Sequence, residues 1–202
     1  NSAGPRAIKY GTPRDNILGL EFISGTGELH RTGVKTSKGV VGLDLTRLLT
    51  GSEGVLGIIT QVTLKIQPLN DSIVTVEVTF NEVSDASETI ISLMTQPITP
   101  YKLEFIDAES IKLINTIKIN HYDKNIKAAI ILEIGGEKEY IDLMLKNIIK
   151  VIEMNKFNKV TVANNLKDIE SLWSARKSLS PALRIIGSHK INEDIAVPIS
   201  NL

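Results

Sequence analysis

Apolar and polar residues alternate early in the chain in short runs suited to β-structure. Residues 16–23 predict a strand, Ser24-Gly25-Thr26-Gly27-Glu28 a turn, and residues 29–32 a returning strand, together a hairpin. A short helix is expected over 43–49, and residues 58–66 alternate towards Pro68 as a further strand. The stretch Gln67-Pro68-Leu69-Asn70-Asp71-Ser72 is polar and turn-forming, and Pro68 has no N–H to donate to a sheet. It predicts a boundary between a domain over 1–70 and a second over 71–202.

Beyond that boundary strands and helices alternate. Strands are expected over 74–80, 101–106, 128–134 and 160–163. Helices are expected over 84–95 with Ser84 as N-cap, over 108–118, and over 138–154 with Ile141, Leu145, Ile148, Ile149 and Ile152 on one face. With the helix after Ile106 set aside, the order is strand-helix-strand twice over, a ferredoxin-like split βαβ arrangement with an antiparallel sheet and its helices on one face. A helix over 167–179 and a strand over 191–197 would extend it.

Composition narrows the partners. A hydrophobic content of 42% over 202 residues suffices for a core in one large domain or two small ones. Lys plus Arg and Asp plus Glu each total 23, so no net field recruits nucleic acid or an anionic membrane. Without cysteine there is no disulfide, thiolate metal site or cysteine nucleophile, as suits a reducing compartment. No apolar run reaches membrane-spanning length. Lysines far outnumber arginines, so Arg6, Arg14, Arg31, Arg47, Arg176 and Arg184 each carry more information.

The segment Thr50-Gly51-Ser52-Glu53-Gly54-Val55-Leu56-Gly57-Ile58-Ile59-Thr60 spaces glycines evenly and then enters an apolar strand. Glycine lets the backbone come close to a flat polyanionic ligand and adopt positive φ, leaving N–H groups free for phosphate or carbonyl oxygens. A turn that uses the glycines for geometry alone fits the same pattern. The spacing is Gly-x-x-Gly-x-x-Gly, not the dinucleotide Gly-x-Gly-x-x-Gly, and it lacks the lysine of a phosphate-binding Walker loop. No Gly-x-Ser-x-Gly occurs, and His30, His121 and His189 have no metal-ligand spacing, so no metal site is expected.

Asn1-Ser2-Ala3-Gly4, Lys9-Tyr10-Gly11, Arg14-Asp15-Asn16, Gly42-Leu43-Asp44-Leu45-Thr46-Arg47-Leu48 and the glycine segment together resemble the FAD-binding domain of vanillyl-alcohol-oxidase-type flavoproteins. The branch most similar holds the D subunit of glycolate oxidase and the FAD-dependent D-lactate and D-2-hydroxyglutarate dehydrogenases. Leu103-Glu104-Phe105-Ile106-Asp107, Leu172-Trp173-Ser174-Ala175-Arg176 and Glu193-Asp194-Ile195-Ala196-Val197-Pro198 continue the resemblance more loosely. It implies an α+β chain: a partial FAD-binding β-rich lobe (1–70, the C-terminal part of that domain) followed by a truncated ferredoxin-like substrate or cap domain (71–202). Family members begin further upstream and run past the Val-Pro segment to a histidine-rich metal motif, so the resemblance implies a middle fragment, inactive when isolated.

The implied activity is oxidation of a small D-2-hydroxy acid, glycolate or D-lactate, with FAD as hydride acceptor and an electron acceptor or partner subunit downstream. The implied location is cytoplasmic, or peripheral to the inner membrane. The alternative is a catalytically inactive remnant acting as a binding or assembly module. Asn1, Ser2, Gly4, Tyr10 and Gly11 would lie along the cofactor, with Glu53, Gly54, Gly57, Ile58 and Ile59 near its flavin and ribityl parts and Leu56 and Ile58 packed on the ring. The family more often has two adjacent glycines where this chain has Ala3-Gly4. Arg176 is the candidate for the substrate carboxylate, since a guanidinium fork meets a carboxylate in two parallel bonds; the other reading pairs it with Glu170 or Asp168. Arg184 is the weaker candidate. Glu193 and Asp194, adjacent on a strand, would point to opposite faces and cannot serve one acid–base site.

Overall fold

A computed structural model describes residues 1–36, 38–117, 121–187, 189, 191 and 195–198. The chain divides into two compact units, Asn1–Leu69 and Asn70–Leu202.

In the first unit, helices α1 (Ala7–Tyr10) and α2 (Pro13–Asn16) precede strands β1 (Ile17–Ile23) and β2 (Leu29–Gly33), helix α3 (Leu45–Leu49) and strand β3 (Ile58–Leu64). The strands form an antiparallel sheet in the order β2-β1-β3. The hairpin and β3 lie where the sequence pattern predicts them. Both α1 and α2 are single turns, too short to leave a periodic signal, but α2 carries start signals: Pro13 in its first turn and a capping box between Thr12 and Asp15. Helix α3 begins at Leu45, not residue 43, because the Asp44 side chain caps the Arg47 N–H. Gly19 and Gly33 face each other across β1 and β2. A side chain on Gly33, at φ +91°, would overlap Leu18 O and Gly19 Cα, so this pairing requires glycine.

The second unit runs β4 (Ser72–Phe80), α4 (Val83–Met94), β5 (Lys102–Ile106), α5 (Ala108–Ile117), β6 (Ala128–Gly136), α6 (Ile141–Glu153), β7 (Lys159–Ala163) and α7 (Leu166–Ile186). Its antiparallel sheet has the order β5-β6-β4-β7, which is the ferredoxin-like topology expected. The helices, however, lie on both faces. On the first face Val74, Val76, Val78 and Phe80 of β4 and Ile130, Leu132 and Ile134 of β6 pack with Ile90 and Leu93 of α4 and Ile148 and Ile152 of α6. On the second, Ile106, Ala129 and Ile131 pack with Ile111 and Ile114 of α5 and with Trp173 and Ala175 of α7. Strand β6 is apolar on both sides, and such a strand needs two covers.

Other details differ from the sequence expectations. The N-cap position of α4 is Glu82, without a side-chain cap bond, so Ser84 falls inside the first turn. Helix α6 starts at Ile141 because a turn from the Tyr140 N–H to Glu137 O precedes it. Helix α7 continues to Ile186 through Pro181, which cannot donate to the carbonyl one turn back. Of the strand expected over 191–197, the described residues 191 and 195–197 are in no strand, and Glu193 and Asp194 lie outside the described residues.

Candidate functional site

The glycine segment sits between α3 and β3 and is built from left-handed backbone. Gly51 (φ 88°), Glu53 (φ 52°), Gly54 (φ 83°) and Gly57 (φ 152°) all have positive φ. At Glu53 the conformation is costly, because its Cβ crowds the carbonyl. Turns bond Ser52 N–H to Leu49 O and Val55 N–H to Ser52 O, while the N–H groups of Glu53, Gly54, Leu56 and Gly57 meet no acceptor among the described residues. Successive unpaired N–H groups in such a chain form an anion-binding concavity. Gly57 is tight: a Cβ there would stand 2.7 Å from Ile23 O and 2.8 Å from the Phe22 ring.

The chain start is tied to this segment. Asn1 Oδ1 accepts from the Arg14 N–H at 2.9 Å, and Arg14 Nη2 donates to Thr50 O at 3.1 Å. A Cβ on Gly51 would lie 3.2 Å from Asn1 Cβ, so Asn1 and the glycine segment are neighbours. The Tyr10-Gly11 turn is held by Asn16 Nδ2, which donates to Tyr10 O at 2.7 Å and Thr12 O at 2.9 Å. Gly11, at φ 76°, backs onto Asp15. Ser2 and Gly4 are exposed, and Tyr10 and Gly11 half-buried. Sequence reasoning gave Arg14 no site role; the available signals were the scarcity of arginine and its place in the Arg14-Asp15-Asn16 segment.

Large apolar side chains beside the glycines face outwards. Val55 is 85% exposed, Ile58 68% and Ile59 39%, with Leu56 also exposed, so the surface around the free N–H groups is apolar. Free donors flanked by an apolar face suit a ligand that is part anion and part flat ring.

In the second unit Arg176 lies on α7, one turn after Trp173. Its Nε stands 3.3 Å from Glu104 Oε2, which makes Glu104 of β5 its partner and not Glu170 or Asp168. Asp168 is committed to the start of α7, where its N–H donates to Asn165 Oδ1 at 3.0 Å and its Oδ2 accepts from Asn165 Nδ2. Arg176 is 43% exposed at its side chain and Glu104 19%. On the same β5 face Lys102 Nζ is 2.7 Å from buried Glu133 Oε2 and 4.8 Å from the centre of the Trp173 ring. Glu77 is buried and accepts from Tyr122 Oη at 2.9 Å; burial pushes its pKa up, against the lowering pull of that bond and of Lys159. Arg184 is exposed. Among the described residues no group of three or more His, Asp or Glu is arranged to hold a metal ion.

Residues 69–202 match the family "FAD linked oxidases, C-terminal domain". The chain belongs to this family of FAD-linked oxidases. Glycolate oxidase subunit GlcD of Bacillus subtilis (strain 168) is 32% identical over 202 residues, which is 100% of this chain and 43% of that protein. The mitochondrial D-lactate dehydrogenase [cytochrome] of Arabidopsis thaliana is 29% identical over 99% of this chain and 35% of its own length. The chain thus spans less than half of these relatives, and they match the residues ahead of position 69 as well. Among solved structures, alkyldihydroxyacetonephosphate synthase aligns with a TM-score of 0.68 at 18% identity over 92% of this chain and 37% of that chain, a likeness of fold.

FAD is the cofactor of this family of oxidases, and the first unit fits it. Left-handed glycines with open N–H groups suit phosphate, ribityl or flavin oxygens, and exposed Leu56 and Ile58 suit the face of a ring.

Proposed function

We propose that this chain serves an FAD-dependent oxidoreductase that oxidises a small D-2-hydroxy acid, of the kind of glycolate or D-lactate. The observation that carries the reading is the glycine segment, with its left-handed backbone, its N–H groups without acceptors among the described residues and its apolar surround. The names of the relatives, a glycolate oxidase subunit and a D-lactate dehydrogenase, supply the substrate class. Bound FAD supplies a hydride acceptor.

The chain's own residues bind and orient. Glu53, Gly54, Leu56 and Gly57 present backbone N–H donors to cofactor oxygens, while Asn1, Ser2, Gly4, Tyr10 and Gly11 line the same cofactor. Leu56 and Ile58 cover apolar ring surface and keep water from it, so that polar contacts there are stronger, while Ile59 lies near the cofactor through its main chain. Arg176 receives the substrate carboxylate in its planar fork and neutralises its charge, which fixes where the adjoining hydroxy carbon sits. Residues 1–70 act as the C-terminal part of an FAD-binding domain and 71–202 as the substrate domain. An electron acceptor or partner subunit reoxidises the cofactor.

FAD titration into the chain, followed by flavin absorbance and thermal shift, tests the reading. Saturable binding with a raised melting temperature is expected, and Gly57→Val should abolish it without unfolding the second unit. Absence of binding to a folded chain would favour the inactive binding-module alternative for this segment. With FAD bound, Arg176→Ala should weaken the affinity for oxalate, a non-oxidisable carboxylate, by about thirtyfold, the loss expected for a charge-assisted pair.

A further inference from the structure

Strand β5 turns alternate residues to opposite faces of the sheet: Leu103 and Phe105 to the α4/α6 core, Lys102, Glu104 and Ile106 to the α7 side. Two of those residues meet α7 one turn apart. Lys102 Nζ lies 4.8 Å from the centre of the Trp173 ring and is anchored from below by buried Glu133 at 2.7 Å. Glu104 Oε2 lies 3.3 Å from Arg176 Nε. Trp173 and Arg176 are three residues apart and so share a helix face. Strand β5 cannot drift, because Glu104 pairs in register with Ile131 of the fully buried part of β6.

A guanidinium has two edges that can fork a carboxylate, one that includes Nε and one made of the two Nη groups. Glu104 occupies the Nε side, and among the described residues no second acidic partner meets Arg176. The Arg176 side chain is 43% exposed and its carboxylate partner 19%, so the pair is reachable from solvent on the arginine's side. A long arginine otherwise loses much rotamer entropy when it captures a ligand.

We propose that Glu104 is a positioning residue for Arg176: it holds the guanidinium by its Nε side so that the Nη edge is presented to the carboxylate of the hydroxy acid. The pair Lys102–Trp173 fixes the helix one turn earlier. Glu104 touches no reacting atom and acts through Arg176. This inference rests on the proposed carboxylate role of Arg176.

The experiment is a double-mutant cycle on the FAD-loaded protein, with KM for D-lactate or glycolate and calorimetric affinity for oxalate, a non-oxidisable carboxylate, as parallel readouts. Glu104→Ala should raise KM by about tenfold and weaken oxalate similarly, with kcat within about twofold, since the lost interaction is one of ground-state and transition-state binding alike. Glu104→Gln, which keeps an acceptor oxygen, should recover most of that loss. In an Arg176→Ala background, Glu104→Ala should add nothing, because the two residues act as one unit. The proposal is overturned if Glu104→Ala leaves oxalate affinity unchanged or strengthens it, or if its effect persists undiminished in the Arg176→Ala background. If Arg176→Ala itself leaves KM and oxalate binding unchanged, it is the carboxylate role of Arg176 that fails. Should Glu104→Ala not fold, Glu104→Asp, which withdraws the same charge by one methylene, supplies the comparison.

Discussion

Strand β6 is buried from Ala128 through Gly135, whereas strand β3 is exposed at every position from Ile58 to Leu64. Both carry large aliphatic residues and both pair antiparallel with a neighbour, yet one is the centre of a core and the other an open edge. The second unit holds itself together by burying side chains on two faces of its sheet, each large aliphatic group contributing roughly 2 kcal/mol. The first unit relies on backbone fit: glycines facing glycines, capped single turns and the Arg14 clamp. The difference matches the division of labour proposed. A cofactor-holding lobe keeps donors and apolar side chains uncovered, and a substrate domain needs a rigid sheet from which to aim a side chain.

The largest effect that separates the two units is expected from truncating matched aliphatic residues. Leu132→Ala, at a fully buried position, should cost about 3 kcal/mol in denaturant unfolding of the second unit. Leu64→Ala on β3, where the side chain is 58% exposed, should cost well under about 1 kcal/mol. Equal losses would mean that β3 is covered in solution, and the contrast between the units would collapse.

Next in size is the backbone test of the first unit. Gly33→Ala puts a methyl group where Leu18 O and Gly19 Cα already stand and should destabilise this unit by about 3 kcal/mol. Gly54→Ala meets open space and suffers only the left-handed backbone penalty, about 1 kcal/mol. Amide hydrogen exchange on β1 and β2 distinguishes the two. If Gly33→Ala were as mild as Gly54→Ala, close approach would not be what holds the hairpin.

The same contrast explains what could be read in advance. Strands β4, β5, β6 and β7 and their order were legible, because apolar runs of strand length separated by helical periodicity leave few topologies. The two-sided cover was not: the split βαβ order leaves α5 out of account, although the apolar Ala129 and Ile131 of β6 need partners on that face as much as Ile130 and Leu132 do on the other. The positive φ of the glycine segment was legible, since evenly spaced glycines ahead of a strand suit left-handed backbone, whether for a ligand or for turn geometry alone. The Asn1–Arg14–Thr50 link was not, because it joins residues far apart in sequence through main-chain groups, which no side-chain pattern encodes. The Glu104 partner of Arg176 was missed for a related reason. Glu170 and Asp168 are near in sequence, but helix spacing favours pairs three or four apart, and Arg176 finds its acid on a neighbouring strand instead.

A smaller effect concerns the buried acid of the second unit. Burial raises the Glu77 pKa above its ordinary value of 4.5, with the Tyr122 hydrogen bond and Lys159 pulling the other way. The folded state therefore holds the proton more tightly than the unfolded chain, so this group's contribution is fully present below 4.5 and is lost as pH rises through the folded value. Glu77→Gln should flatten that dependence and make the second unit more stable near neutrality, whereas Tyr122→Phe removes the Tyr122 hydroxyl donor from the carboxylate and should steepen it. Unfolding midpoints measured across that pH range check the sign; a stability that rises with pH through the same window would refute the burial argument.

The smallest effect belongs to Asp15 in the first unit, and its sign is opposite. Asp15 Oδ2 accepts from the Thr12 N–H at 2.8 Å and from Thr12 Oγ1 at 2.9 Å, and these bonds, with Arg47 and Arg14 nearby, hold its pKa below the ordinary 3.8. The stabilisation is present above 3.8 and disappears as pH falls through the folded value. Because the group is solvent-exposed, salt should weaken the arginine contribution while leaving the two local hydrogen bonds intact. Carboxyl titration by NMR at low and high ionic strength separates these parts. A pKa that returns to 3.8 in salt would assign the shift to Arg47 and Arg14, whereas one that stays depressed assigns it to the capping box. The second outcome is expected, since a first unit held by local backbone fit should owe little to screened charge.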